Sequence, residues 1–290
     1  MRVILSIAGS DSSAGAGIQA DLKAITACGG YAASVITAVT AQNTQGVRDA
    51  YELPTALIES QIDAIFEDLE VAAVKTGMLS SARVVESVAR ALRRRAPAHY
   101  VLDPVMISKS GHALLDTAAF ASLKDLFALA TLVTPNRHEA QALTGIDVRN
   151  PEDSEKAGRQ LIDAGCRAVL VKGGHLDEHA ATDVLVTSDA VEVLEGARID
   201  TPHTHGTGCT YSAAIATYLG RGFALSRAVR AAKTYITEAI RSGLALGRGH
   251  GPTDHFFYLR RSDPLAWMER LGVTASAEPN RRPEQTGGGA

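Results

Sequence analysis

The chain is poor in cysteine: Cys28, Cys166 and Cys209 are its only three, and none belongs to a C-x-x-C pair. An odd, scattered set supplies no disulfide framework and fits a reducing cytoplasm, the expected compartment. Long hydrophobic runs are missing too. The run in "MRVILSIAGSD" lasts about seven residues before a polar Ser-Asp, too short for a membrane span and poor as a signal peptide, so it reads as a buried strand. Basic charge is not concentrated, because a formal net charge of −3 with Lys and Arg spread along the chain leaves no stripe for nucleic acid and no membrane anchor. No G-x-x-x-x-G-K-[ST] loop and no H-R-D or D-F-G set occurs, which closes the P-loop and protein-kinase routes to ATP. His203 and His205 have no companions at zinc spacing, so no histidine metal site is expected. The expected partner is a small molecule.

What is present is core-forming material: 290 residues, 46% of them hydrophobic, enough for one large mixed domain or two. Apolar, β-branched runs recur at "VILSIAG", "ASVITAV", "AAVKTG", "HYVLDP", "TLVTP" and "AVLVKGG". Between them the spacing predicts helices over Ile18–Cys28, Leu57–Leu69, Ala82–Arg94, Ala118–Ala130 and Ser154–Ala164. Continuous apolar strands alternating with helices predict an α/β fold whose mostly parallel sheet is covered on both faces. "ATDVLVTS" and "AVEVLEGAR" read as an antiparallel hairpin at a sheet edge, followed by helices over Cys209–Leu219 and Leu225–Leu244. No interdomain linker is visible, so the expectation is one domain over residues 1–273. The polar, Gly/Pro-rich stretch 274–290 reads as a disordered tail.

Ligands of a parallel sheet bind beyond the C-terminal ends of its strands, which directs attention to the turns. Gly15-x-Gly17-x-x-Ala20 matches the dinucleotide fingerprint formally, but no acidic residue ends the second strand, so an NAD(P) oxidoreductase is only a remote alternative. "HGTGCT" offers a different anion site. Gly206 and Gly208 let backbone N–H groups at a helix N-terminus approach a phosphate, although a tight turn before an ordinary helix would look the same. Lys172, ending the "AVLV" strand, is placed to reach phosphate oxygens, or else is a lysine snorkelling off a strand end. Asp103 and Glu139 are oxygen donors suited to Mg²⁺, and a carboxylate there could equally cap a helix. Gln42 carries one acceptor and two donors, which match a ring nitrogen beside an exocyclic amine. Met78 offers a polarisable face to a ring, and Asp21 could bind a substrate hydroxyl or amine, or merely cap and solvate its helix.

Together, "AGSDSSAGAGIQADLKA", "SVITAVTAQNTQGV", "KTGMLS", "VLDPVMISKSG", "TPNRHEA", "VLVKGGH" and "THGTGCTYSAAIA" resemble, in order, the hydroxymethylpyrimidine/phosphomethylpyrimidine kinases of the ribokinase-like superfamily. The resemblance implies a three-layer α/β/α sandwich, commonly a homodimer. It also implies phosphorylation by ATP and Mg²⁺ of 4-amino-5-hydroxymethyl-2-methylpyrimidine to its monophosphate and then its diphosphate, in thiamine diphosphate biosynthesis. By position, Gln42, Gly9, Asp21, Met78 and Val105 would surround the pyrimidine. Lys172, Thr207, Gly208 and Asn136 would meet ATP, Asp103 and Glu139 would support Mg²⁺, and Gly206 to Cys209 would form the anion hole.

Where many sugar and vitamin B6 kinases of the superfamily carry an Asp base, this chain resembles the thiamine branch in carrying Cys209. A thiol at a helix N-terminus has a lowered pKa, so Cys209 is expected either to deprotonate the hydroxymethyl group as a thiolate or only to orient it, since an incoming γ-phosphate would raise that pKa. Ser12 and Ala14 depart from the family's Pro and Gly and put the rigidity of the first loop in question. Thr76, where an aliphatic residue is frequent, would add a hydroxyl at the pocket edge. A pyridoxal or pyridoxine kinase of the same fold is the nearest alternative, and a non-catalytic ligand-binding protein a more distant one.

Overall fold

The computed structural model describes residues 1–106, 119–173 and 181–261. The expected tail, Gly174 and the first residue of the Ala118–Ala130 helix lie outside the described residues. In chain order the elements are β1 (Val3–Asp11), α1 (Gly17–Ala27), β2 (Tyr31–Asn43), β3 (Gly46–Glu52), α2 (Thr55–Asp68), β4 (Val71–Thr76), α3 (Ala82–Arg95) and β5 (Tyr100–Leu102). They continue as α4 (Ala119–Phe127), β6 (Leu132–Val133), α5 (Arg137–Thr144), α6 (Pro151–Asp163), β7 (Ala168–Val171), β8 (Asp183–Thr187), β9 (Val191–Leu194), α7 (Thr207–Gly220) and α8 (Leu225–Arg241). Residues 1–255 form one compact unit. A second begins at Phe256, and its described part holds the short helix α9 (Phe257–Arg261).

Among the described residues the sheet has nine strands in the order β3-β2-β1-β4-β5-β6-β7-β8-β9. From β2 to β7 every pairing is parallel, while β3 and the β8–β9 hairpin run antiparallel at the two edges. β1 shows why its sequence is continuously apolar. Leu5 and Ile7 enter a buried cluster with Ile58 and Ile62 of α2 and Val84 and Val88 of α3. On the opposite face Ile4 lies against Gly220 of α7, where a β-carbon would come within 2.4 Å of the Ile4 side chain. Both faces are covered, so the strand cannot alternate with polar residues.

Helix ends follow local chemistry. Ser81 caps α3, whose last turn carries Arg93, Arg94 and Arg95 at the negative end of its dipole. Asn150 caps α6, which starts with Pro151 three residues earlier than the periodicity predicts, because the acidic first turn is itself helical. β3 is absent from the sequence reading. It is mostly exposed and mixes Arg48 and Asp49 with Val47 and Tyr51, as befits an edge strand guarded by charge rather than patterned for burial. α7 is buried along almost its whole length, its small residues packed between the sheet and helices α1 and α8. That places its N-terminus at the C-terminal edge of the parallel strands.

Candidate active site

The loop after β1 is organised by Asp11. Oδ1 accepts the Ser13 N–H at 2.8 Å and the Ser13 hydroxyl at 2.8 Å. Oδ2 accepts the N–H groups of Gly15 at 3.1 Å and Ala16 at 2.8 Å, and faces His205 Nε2 at 2.8 Å. Burial alone would raise its pKa, but the bonds from His205, Ser13 and Ala16 outweigh it and hold Asp11 at about 2. The amides that a dinucleotide pyrophosphate would need are thus already taken by a side chain, and the fingerprint match has no vacant cradle. Ser12 grips β2 by donating to the Gln42 carbonyl at 2.6 Å and accepting the Gln42 N–H at 2.8 Å. The loop is therefore tied down despite its departures from the family pattern. One trace of them remains: Ala14 sits at φ 61°, in the left-handed region that favours glycine.

Two distant motifs meet here by close backbone contact. A β-carbon on Gly15 would fall 2.2 Å from the His205 ring, and one on Gly206 would fall 1.8 Å from the Gly15 carbonyl oxygen. Gly206, at φ 79°, is the N-cap of α7 and brings no side chain to occupy the free N–H groups of the first turn. Thr207, Gly208 and Cys209 are its first three helical residues. The Thr207 hydroxyl turns away to the Thr204 carbonyl at 2.8 Å.

Across this turn stands Lys172. A β-carbon on Gly208 would lie 3.4 Å from Lys172 Nζ and 3.8 Å from Asp103 Oδ2, so the cation and the open turn share one small space. Lys172 Nζ donates to Asp103 Oδ1 at 2.8 Å. Thr134 adds a hydroxyl to the same oxygen at 3.2 Å, and Ser212 of α7 adds one to Oδ2 at 3.1 Å. Against the cost of burial, the charges of Lys172 and Lys75 hold Asp103 below the ordinary carboxylate range. The backbone next to Lys172 is fixed by Asp183 of β8, which accepts the Gly173 N–H at 3.0 Å while Tyr211 and Lys233 occupy its other oxygen.

Asn136 and Glu139 close a capping box on α5: Asn136 Oδ1 accepts the Glu139 N–H at 2.9 Å and Glu139 Oε2 accepts the Asn136 N–H at 2.7 Å. Glu139 nevertheless lies within the field of Lys172 and Asp103. Burial pushes its pKa up to about 7, Lys172 lowering it and Asp103 raising it.

Beneath the cleft lies an ion pair that the sequence reading missed. Lys75 of β4 donates to Asp21 Oδ1 at 2.9 Å and Oδ2 at 2.7 Å, Ser6 of β1 donates to Oδ2 at 2.5 Å, and both charged side chains have 0% exposure. Asp21 therefore offers no face to a substrate, which corrects the expectation that it binds one: its oxygens are filled from below the floor. Burial alone would lower Lys75, yet the charges of Asp21 and Asp103 and the bonds to Asp21 hold it above the ordinary lysine range. A charged residue inside the buried run "AAVKTG" was the available signal, since such a charge needs a partner.

At Cys209 the electrostatics favour the orienting role over the base. The residue keeps some accessible surface, but burial pushes its thiol up to about 11, with Lys75 lowering it, Asp21 and Asp103 raising it, and a bond from the Gly17 N–H lowering it slightly. Desolvation and the charges of Asp21 and Asp103 outweigh Lys75 and the Gly17 N–H, so the resting group is a thiol. Thr76 corrects a second expectation. It is fully buried and its hydroxyl pairs with the Tyr100 phenol at 2.8 Å, so it does not reach the pocket edge.

On the other side of the cleft, Met78 lies across Gly9, where a β-carbon would meet its terminal methyl at 2.3 Å. Val105 is half-buried just after Asp103. The Gln42 side chain reaches His205 Nε2 at 3.4 Å and Thr40 Oγ1 at 3.3 Å. The fold thus draws Gly9, Gln42, Met78, Val105, Asp103, Lys172, Gly208 and Cys209 to the same sheet edge. To these it adds Asp11, Lys75 and Ser212, which sequence reasoning did not single out, and His205, which it weighed only as a metal ligand.

Residues 11–254 match the family model of phosphomethylpyrimidine kinase. The chain is 49% identical over 253 residues to a thiamine biosynthesis bifunctional protein, ThiED, of Geobacter sulfurreducens, aligning 87% of itself to 52% of that longer protein. It is 48% identical over 255 residues to a hydroxymethylpyrimidine/phosphomethylpyrimidine kinase of Streptomyces coelicolor, covering 87% of this chain and 94% of that one. In three dimensions it is similar to the ADP complex of Bacillus subtilis pyridoxal kinase, with a TM-score of 0.82 and 37% identity over 88% of this chain and 97% of that one.

Proposed function

The chain belongs to the phosphomethylpyrimidine kinase family, and from that premise we propose that it transfers the γ-phosphoryl group of ATP to 4-amino-5-hydroxymethyl-2-methylpyrimidine and then to the resulting monophosphate. The observation that carries this reading is Lys172 Nζ standing over Gly208 at the uncapped first turn of α7, with Asp103 beside it. Phosphoryl transfer asks for little more than such a preorganised cradle, since positioning and charge neutralisation supply most of the rate.

Gly9, Gln42, Met78 and Val105 line the pyrimidine, and Lys172, Thr207, Gly208 and Asn136 meet ATP. Mg²⁺ fits the pair Asp103 and Glu139: both are oxygen donors beside the phosphate-side lysine, and a Glu139 poised near 7 ionises readily when a cation arrives. Bound there with the phosphates, the metal would neutralise charge on the transferred group. Cys209, held as a thiol, orients the hydroxymethyl group by hydrogen bonding. Asp21 acts only from below, by holding Lys75 beneath Cys209. The kinase domain is taken as 1–273, and we assign the protein to the cytoplasm; no described helix is long and apolar enough to cross a membrane. We also propose a homodimer, for which the exposed Val39 and Tyr51, paired across β2 and β3, offer an apolar contact.

Similarity to a pyridoxal kinase structure favours pyridoxal as the second reading. One experiment separates the two: incubation with Mg-ATP and either the pyrimidine alcohol or pyridoxal in parallel, with products identified by mass. Mono- and diphosphate from the pyrimidine support the first reading; turnover of pyridoxal alone overturns it.

A further inference from the structure

The hydrogen-bond inventory around Gln42 determines which way its amide points. Thr40 Oγ1 has one proton, and it lies 2.8 Å from the Ser10 carbonyl oxygen, which can only accept. The proton is spent there, so Thr40 can only accept from Gln42; the structure sets Oε1 at that 3.3 Å contact and Nε2 toward His205, and the proton count favours the flipped amide, with nitrogen toward Thr40. The flip turns the amide oxygen to His205 Nε2, which stands 3.4 Å from that end of the amide. The opposite orientation fails on the same count. An amide nitrogen facing His205 would require Nε2 to be bare, placing two acceptors 2.8 Å apart with no proton between Nε2 and Asp11 Oδ2. Asp11 cannot provide that proton, because donors from Ser13, Gly15 and Ala16 already converge on its carboxylate. Nε2 therefore carries hydrogen, directed mainly at Asp11 and secondarily at Gln42.

We propose that the Asp11–His205 couple is a specificity-determining positioning device that locks the Gln42 amide, so that the site selects a 4-amino over a 4-oxo pyrimidine. This rests on the pyrimidine kinase reading above. With one lone pair of Oε1 turned to His205 and one hydrogen of Nε2 turned to Thr40, the free face presents one acceptor and one donor in fixed order. An amino group beside a ring nitrogen is the complement of that order, whereas a 4-oxo ring with a protonated nitrogen reverses both partners and needs the amide flipped. His205 touches no reacting atom in this scheme; it acts through Gln42.

The test measures kcat and KM for the 4-amino pyrimidine alcohol and its 4-oxo analogue in the unaltered chain and in His205→Leu, His205→Gln and Thr40→Val, with a melting temperature for each. His205→Leu is expected to raise KM for the amino substrate about tenfold with a smaller change in kcat, and to shrink the amino/oxo preference by a similar factor. His205→Gln, which keeps an N–H donor, should restore much of that preference. Thr40→Val removes the acceptor from the other end of the amide while leaving His205 in place, and should erode the preference in the same direction. A general loss of kcat on both substrates, or an amino/oxo ratio unchanged in both His205→Leu and Thr40→Val, overturns the device while leaving the kinase reading intact. Failure of the unaltered chain to phosphorylate either ring overturns the kinase reading, and the device with it.

Discussion

Replacing Lys75 by Met probes the floor of the cleft without touching its surface. The substitution keeps most of the side-chain volume but removes the two hydrogen bonds at 2.9 and 2.7 Å on which the Asp21 carboxylate relies, leaving Ser6 as its remaining donor. With 0% exposure Asp21 cannot turn to water. Stranding one member of a buried pair costs about 3–5 kcal/mol. At about 2–4 °C per kcal/mol for a unit of this size, the melting temperature should fall by roughly 10 °C. The double variant Lys75→Met/Asp21→Asn should recover much of that loss, because no charge is then buried alone.

The pH dependence has a definite sign. Burial raises the Asp21 pKa above its ordinary value, and Lys75 opposes that rise. Without Lys75 the folded chain therefore binds a proton that the unfolded chain releases above about pH 4, and stability falls as pH climbs through that window. The deficit of the single variant should be smaller at pH 5 than at pH 8. Thermal melts of the three proteins at both pH values are the assay. A single variant within about 1 kcal/mol of the parent, or a double variant no more stable than the single, would refute the reasoning.

Three further outcomes follow from the same geometry. Ala14→Gly relieves a left-handed φ of 61° and should stabilise the chain by about 1 kcal/mol, read by denaturant unfolding; a loss of stability would show that the loop tolerates the alanine without strain. With its thiol pushed up to about 11, Cys209 should alkylate at pH 7.5 at least about tenfold more slowly than a free cysteine and accelerate above pH 10. Mapping of the modified peptide at free-cysteine rates would restore the thiolate. Thr76→Val leaves the buried Tyr100 phenol without its 2.8 Å partner and should cost about 1–3 kcal/mol while KM for the pyrimidine stays unchanged; a shifted KM would return Thr76 to the pocket edge.

Much of this was legible in the chain because the governing physics is local. Buried parallel strands read as continuous apolar runs, the start of α3 reads at Ala82, and a glycine-rich turn before a small-residue helix reads as an anion site. Those signals named Gln42, Asp103, Lys172 and the 206–209 turn and set them at one sheet edge. Charges and protonation were not legible, because they depend on residues far apart in sequence. Lys75 meets Asp21 across 54 positions, His205 meets Asp11 across 194, and Asp103 meets Ser212 across 109. Only the folded arrangement sets the desolvation that keeps Cys209 a thiol and turns an expected substrate carboxylate into a buried counter-ion. The sequence determined what chemistry was available and on which edge; the tertiary structure decided which groups remain free to perform it, because hydrogen-bond partners and burial exist only once distant segments have closed on one another.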